Sequence, residues 1–209
     1  MLYDVRAARE NIRNSGGKRV FYLGSGDQLT PSARDLLQGM RVEILPPPQK
    51  GTPKPEHMTH LNGDTLVEKT HPAIRFRGQV DALEAELLLC GLKIPQLRPA
   101  LQELLNLARQ LIAADVLGEP VKETALLGLN QQELRQHSHL PQKYYGKPHF
   151  MPGFEDGETV LYLNRLRTMI RSTELAAVEA HPTRTDIIQA LNRMSSAVYI
   201  LMIKLKIEN

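Results

Sequence analysis

The chain has 209 residues, with 26 Lys and Arg against 23 Asp and Glu, which gives a formal net charge of +3. Hydrophobic residues make up 42% of it, enough for a sizeable core, so the composition excludes a disordered chain. The small positive surplus and the 5% aromatic content argue against a nucleic-acid partner, which would need a clustered basic face or stacking platforms. The length predicts one large domain, or one domain with a small appendage.

The chain is predicted to be a cytoplasmic protein with no membrane partner. Cys90 is its one cysteine, so an internal disulfide is excluded and a reducing compartment is favoured. Because Cys90 lies in the apolar run 87–92, we expect it to be buried rather than reactive. Residues 1–15 lack the apolar core of a signal peptide, and the apolar run 198–203 is too short to span a bilayer.

Residues 1–45 predict a small α/β unit. A short helix is predicted over 3–13. A strand–helix–strand pattern with a parallel pair follows: a strand at 19–23, a helix over 31–37 with Thr30 as its N-cap, and a strand at 41–45. The loop at Gly24 and Gly26 is interpreted as a plain turn rather than an anion site. The stretch 46–55 holds five prolines, so 46–56 is predicted to be a linker that precedes a main domain over 57–209.

Helical periodicity dominates from residue 73 onward. It predicts long helices over 74–92, 99–117, 158–180 and 185–207, and a short helix that starts with the capping-box spacing of Asn130 and Glu133. Residues 137–157 are predicted to be irregular, because prolines and glycines interrupt them. The fold class is therefore mainly α: a helical bundle with a small N-terminal α/β unit.

The last two predicted helices each carry polar residues on one face. Arg167, Arg171 and Glu174 are spaced i, i+4 and i+7, and this stripe is either a solvated charged face or part of a site. The last helix is otherwise apolar and should be buried, so its polar side chains need partners from another helix or from a ligand. This second stripe consists of Asn192, Ser195, Ser196 and Tyr199.

Other polar groups carry weaker signals. A basic cluster at the start of the first long helix would suit a polyphosphate or form ordinary surface; it consists of Lys69, His71, Arg75 and Arg77, with Asp81 nearby. The histidines lack a firm ligand spacing, so surface or capping roles are favoured and no metal site is predicted. These are His57, His60, His137, His139 and His149.

Two motifs in the last helices are specific. Arg-Thr-x-x-Arg-x-x-Glu spans 167–174, and Leu-Asn-Arg-x-Ser spans 191–195. Together with the segments 29–34, 59–61, 67–72, 114–120 and 126–129, they resemble the cobalamin adenosyltransferases, in particular the ethanolamine-utilisation branch. The resemblance covers nearly the whole chain.

The resemblance implies a reaction in which ATP and a cob(I)alamin-type corrinoid give adenosylcobalamin and triphosphate, with Mg²⁺ accompanying ATP. Co(I) is itself a strong nucleophile, which agrees with the lack of any nucleophile–base signature. The family pattern gives catalytic roles to Arg171 at the phosphates, to Glu174 in orienting the site or the ribose, and to Arg167 in an ionic contact. Asp81 is the proposed partner of Arg167, within or across subunits.

Further residues are implied to bind the nucleotide. Lys69 would contact the phosphates, Asn192 would lie near Mg²⁺ or the phosphates, and Arg193 is grouped with these binding residues. Thr59 and His60 would lie in a nucleotide loop. An apolar corrinoid pocket is also implied; its candidate residues are Phe76, Phe150 and Phe154, although core packing is the favoured role for each.

The resemblance also implies a homo-oligomer with sites between subunits, a trimer with a dimer as the alternative. A microcompartment or a cobalamin-dependent lyase is an expected partner, and a non-catalytic escort or regulator on the same bundle is the alternative function. Members of this branch can carry a His with a Cys-Cys-x-x-Cys cluster before the Thr-His-Leu motif. Here that stretch is the proline-rich linker without a cysteine, so their metal dependence is not transferred to this chain.

Overall fold

The computed structural model describes residues 2–15, 18–46, 54–63 and 65–208. The chain divides into two compact units, Met1–Lys69 and Thr70–Asn209. Most of the predicted linker, residues 47–53, lies outside the described residues, so the division at 46–56 stays a prediction. Among the described helices, none combines the length and apolar character needed to cross a bilayer.

The first unit combines short strands with two helices around a small core. Its elements are β1 (Leu2–Tyr3), α1 (Val5–Glu10), β2 (Arg13–Ser15), β3 (Lys18–Tyr22), β4 (Gln28–Leu29), α2 (Pro31–Gly39), β5 (Glu43–Leu45), β6 (Met58–Asn62) and β7 (Thr65–Glu68). Strands β3 and β5 pair in parallel, as predicted, and β2 pairs antiparallel with β3. Thr30 caps α2, accepting the Ala33 N–H at 3.3 Å. Phe21 and Leu37 are fully buried in the core of this unit.

The predicted first helix is shorter than expected. Asp4 caps α1 by accepting the Ala7 N–H at 2.8 Å, so the helix begins at Val5. The residues on either side belong to sheets instead: β1 pairs in parallel with β4, and β2 pairs antiparallel with β3. These pairings use backbone groups that a longer helix would need for itself.

The second unit is a helical bundle. Its helices are α3 (Pro72–Lys93), α4 (Arg98–Leu117), α5 (Gln131–His139), α6 (Pro141–Tyr145), α7 (Gly157–Ala180) and α8 (Thr185–Glu208). Helix α7 packs against both α3 and α8, α4 packs against α3, and the short α5 and α6 pack on α8. The predicted class, mainly α with a small N-terminal α/β unit, is confirmed.

Local sequence signals explain where the shorter helices begin and end. The capping box predicted at Asn130 is present, with reciprocal bonds of 2.9 and 2.8 Å between Asn130 and Glu133. The prediction that 137–157 is irregular is wrong for its first part, because α5 runs to His139 and α6 follows. Pro141 occupies the first turn of α6, and Gly146 ends it at a φ of 68° that favours glycine.

A buried carboxylate joins three helices of the bundle. Asp115, near the end of α4, has only 4% of its side chain exposed. Its oxygens lie 2.6 Å from Nε of Arg77 on α3 and 2.8 Å from Nε2 of His181, which follows α7. Cys90 is buried, as expected, and burial raises the pKa of its thiol to about 11, with a contribution from the nearby Glu86 carboxylate.

Candidate functional site

The second unit contains a cavity of about 710 Å³ between α7, α8, the end of α5 and the segment that follows α6. Both polar stripes predicted from the sequence line it. The lining residues are Ser138, His139, His149, Phe150, Met151, Arg167, Arg171, Glu174, Leu175, Val178, Asn192, Ser195, Ser196 and Tyr199. The polar side chains of α8 therefore line a cavity, and they are not all covered by a neighbouring helix.

Helix α7 supplies a charged wall of this cavity. Arg171 is exposed and Glu174 is half-buried, and the helical repeat places Leu175 and Val178 on the same side. Leu175 and Val178 are 72% and 44% exposed, which is unusual for aliphatic side chains. The wall thus offers a cation and a carboxylate next to an apolar rim.

A chain of hydrogen bonds connects the two helices at the cavity. Asn192 donates through Nδ2 to Oε1 of Glu174 at 3.0 Å. The Oδ1 atom of Asn192 accepts from Nη2 of Arg193 at 2.7 Å, and Nη1 of Arg193 lies 3.5 Å from the Gln131 carbonyl oxygen. Asn192 therefore holds the Glu174 carboxylate in place while its own oxygen is held by a cation.

Arg167 lies deeper in the same wall. Its guanidinium carbon lies 4.9 Å from the centroid of the Tyr199 ring, a cation–π contact. Its buried Nε has no hydrogen-bond partner among the described residues. Burial lowers the pKa of Arg167, repulsion from Arg171 lowers it further, and Tyr199 opposes both effects. The predicted partner Asp81 is exposed on α3 and forms no ion pair with Arg167 among the described residues of one chain; a pair between subunits stays a prediction.

The Tyr199 hydroxyl fixes the segment that closes the cavity. It accepts the Phe150 N–H at 3.2 Å and lies 3.2 Å from Nδ1 of His149. The other ring nitrogen of His149, Nε2, lies 3.1 Å from the His139 carbonyl oxygen. Because a carbonyl can only accept, Nε2 carries the hydrogen in neutral His149, and Tyr199 donates to Nδ1. One side chain of α8 thus anchors two consecutive residues of the wall.

A second cavity, of about 590 Å³, adjoins the first. Glu174, Asn192 and His139 line both cavities. The second cavity is lined by Arg135, His139, Glu174, Thr185, Ile188, Gln189, Asn192 and Arg193. Burial lowers the pKa of Arg193, Arg135 lowers it further, and Glu174 opposes them.

Three predicted binding residues belong to the first unit, in the β6–β7 hairpin. Thr59 pairs with Val67 in this hairpin, and His60 follows Thr59 on β6. The Lys69 N–H donates to the His57 carbonyl at 2.8 Å. Thr59 and Lys69 are thereby brought close in one hairpin, and the roles assigned to Thr59, His60 and Lys69 stay predictions.

The described residues contain no group of three or more His, Cys, Asp or Glu side chains placed to hold a metal ion. Two of the histidines considered in the sequence, His137 and His149, have other contacts. His137 lies 2.8 Å from the Tyr145 hydroxyl and stacks on Tyr144, and His149 is bonded through both ring nitrogens.

Comparison with known proteins decides the family. The sequence model of the cobalamin adenosyltransferase family matches residues 52–205, which include both polar stripes. The chain belongs to the cobalamin adenosyltransferase family. As a member of this family it is a transferase with a corrinoid substrate, as the resemblance implied.

Individual relatives agree with the family match. The chain is 31% identical to the corrinoid adenosyltransferase EutT of Salmonella typhimurium, and the match covers 93% of this chain and 88% of that protein. It is 30% identical to the corrinoid adenosyltransferase EutT of Escherichia coli K12 over the same shares. The predicted resemblance to this type of adenosyltransferase is therefore confirmed.

Sequence reasoning missed part of this adenosyltransferase's cavity wall. Leu175 and Val178 continue the helical repeat of Arg171, so their exposure could have been suspected from the α7 pattern. The role of His149 had no local signal, because its contact with Tyr199 spans 50 residues.

The three phenylalanines considered for the corrinoid pocket have three different environments. Phe150 lines the cavity, Phe76 is fully buried in the core, and Phe154 is 97% exposed and does not line the cavity. The expected core packing is therefore seen for Phe76 and in part for Phe150, which also packs against the core of the bundle, but not for Phe154.

Proposed function

We propose that this enzyme transfers the 5′-deoxyadenosyl group of ATP to cob(I)alamin, releasing triphosphate, and that it serves ethanolamine utilisation. Family membership supports adenosyl transfer to a corrinoid. The ethanolamine assignment rests on the similarity to the EutT proteins. The observation that carries the proposed chemistry is the placement of Arg167, Arg171, Glu174 and Asn192 on the wall of one cavity.

The residue types of the cavity suit this reaction. The Co(I) electron pair forms the bond to the 5′ carbon of ATP, and the C5′–O bond breaks with its electrons going to triphosphate. The protein supplies neither nucleophile nor base in this step; it must stabilise the negative charge of the leaving group and align the reacting atoms. The exposed guanidinium of Arg171 suits phosphate oxygens, and Glu174, held by Asn192, suits the ribose hydroxyls or the cation of the nucleotide.

Mg²⁺ fits this site as a companion of the nucleotide. Proteins hold Mg²⁺ through one or two carboxylates, together with substrate phosphates and water. Glu174 is the one carboxylate among the described residues that line the main cavity, and its Oε1 already accepts a hydrogen bond from Asn192. We therefore assign Mg²⁺ to the phosphates of ATP, with Glu174 as its protein contact, and no transition metal to this cavity.

The apolar rim suits the corrinoid. Met151 is 92% exposed and lies at the cavity with Phe150, Leu175 and Val178. Such a contiguous apolar surface marks a binding site rather than ordinary protein surface. A corrinoid covered by these side chains would be shielded from water as an axial ligand, which favours the reduced cobalt state. The same surface supports the proposed homo-oligomer with sites between subunits, a trimer or a dimer.

Incubation with ATP, MgCl₂ and chemically reduced cobalamin tests the proposal. We expect the adenosyl–cobalt absorption spectrum to appear, with one triphosphate released per adenosylcobalamin. A non-catalytic escort or regulator would bind ATP or adenosylcobalamin without forming that spectrum, and this result would reject the enzymatic proposal. Metal analysis of the purified protein gives an independent check, because stoichiometric zinc or iron would contradict the assignment of Mg²⁺ alone.

A further inference from the structure

Among the described residues, the lining of the second cavity carries more positive than negative charge. Arg135 and Arg193 both line it, and Glu174 is the only carboxylate that the described part of the chain contributes to this lining. One oxygen of Glu174 already accepts from Asn192. The hydrogen bonds of Arg193 go to uncharged oxygens, those of Asn192 and Gln131. Two guanidinium groups therefore share one cavity with a single carboxylate.

Arg135 is the less constrained of the two cations. It is exposed on α5, and its guanidinium has no hydrogen bond or ion pair with any described residue. Its charge nevertheless reaches Arg193, because repulsion between the two contributes to the lowered pKa of Arg193. Two like charges held at one cavity favour a multivalent anion between them, since an anion relieves their repulsion and takes charge-assisted hydrogen bonds.

Because the second cavity adjoins the main cavity, an anion bound in it is either part of a long ligand that extends from the main cavity or a product released there. Glu174 and Asn192 line both cavities, so a ligand that extends past Asn192 would have Arg171 on one side and Arg193 on the other. Thr185 and Gln189 add a hydroxyl and an amide to the lining, and both groups can bond to phosphate oxygens. A linear polyphosphate has the length and charge for this arrangement.

We propose that the Arg135–Arg193 cavity is a binding site for a polyphosphate anion, with Arg135 as a specificity residue supplied by α5. The inference rests on the proposed function, because the polyphosphate is then either the tail of ATP or the released triphosphate. Arg135 contacts the terminal phosphate in the first case. In the second case it holds the product after the cobalt–carbon bond has formed.

The test uses Arg135→Gln in the full chain and calorimetric titration without a corrinoid, so it does not depend on turnover. Inorganic triphosphate, ATP and AMP are the probes, each with MgCl₂. The lost charge-assisted contact should weaken triphosphate binding roughly ten- to a hundredfold and leave AMP binding unchanged. The matched control is Arg109→Gln, which removes an exposed arginine that pairs with Glu84 and does not line either cavity.

The two sources of the anion give different results. If the ATP tail occupies the cavity, Arg135→Gln weakens ATP and triphosphate binding alike. If the cavity holds the released product, ATP binding is unchanged and inhibition of turnover by triphosphate is relieved. The proposal is overturned if wild-type protein does not bind triphosphate, if Arg135→Gln binds it as tightly as wild type does, or if AMP binding falls equally.

Discussion

The Tyr199 hydroxyl provides the sharpest test of how the cavity wall is held. Tyr199→Phe keeps the ring beneath Arg167 but removes the acceptor of the Phe150 N–H and the donor to His149 Nδ1. A typical protein hydrogen bond contributes about 0.5–1.5 kcal/mol net, so the loss of two should weaken the anchoring of this segment by about 1–3 kcal/mol. Opening of the segment would then become about five- to a hundred-and-fifty-fold more frequent.

Hydrogen exchange measured by mass spectrometry on peptides that contain Phe150 checks this expectation. Exchange of its amide should accelerate by that factor in Tyr199→Phe, while exchange in α3 stays unchanged. Tyr199→Leu should additionally release Arg167, so only this variant should also lose adenosyl transfer strongly. The control is Tyr145→Phe, which removes a similar bond to His137 outside the cavity. Equal exchange at Phe150 in wild type and Tyr199→Phe would refute the anchoring role.

Four other predictions follow from the same contacts. Arg171→Ala should lower adenosyl transfer at least a hundredfold with an unchanged helical circular dichroism spectrum, because a transition-state cation is lost; full activity would refute the assignment. Asp115→Asn should lower the free energy of unfolding by about 3–5 kcal/mol, seen as a large fall in Tm, because it breaks a buried ion pair. The hydrogen bond from Arg184 lowers the pKa of Asp186 in the folded state. The ionised carboxylate therefore stabilises the fold above its unfolded-state pKa of about 3.9, and this stabilisation is lost as the pH falls further. Acid titrations of the free energy of unfolding should lack that loss in Asp186→Asn. Cys90 should resist thiol reagents at pH 8 until urea unfolds the protein, since its pKa is about 11.

The long helices were predictable because their apolar repeat extends over many turns. The pattern over 185–207 matches α8 (Thr185–Glu208), and the pattern over 158–180 matches α7 (Gly157–Ala180). The predictions were wrong where the conformation of a short segment depends on pairing with residues that are distant in the sequence. Leu2 and Tyr3 become a strand because they pair with Gln28 and Leu29, and no feature of residues 1–5 alone indicates this pairing.

The residues of the candidate site can likewise be divided into those that the sequence predicts and those that it does not. Asn192 could be singled out because it belongs to a polar stripe on an otherwise apolar helix, and Arg171 because it belongs to a specific motif that resembles the family. The segment that closes the cavity could not, since His149 and Phe150 are positioned by Tyr199 across about 50 residues of sequence. Arg135 carried no signal at all: it is an exposed arginine on a short helix, and only the fold brings it to a cavity with Arg193.

The hydrogen bonds of Asn192 make this side chain a link between the two cavities. Glu174 and Asn192 line both of them. The amide of Asn192 donates to Glu174 and accepts from Arg193. Shortening Asn192 to Ala would therefore release a carboxylate and a guanidinium group at once, so a single amide keeps two opposite charges apart and in place.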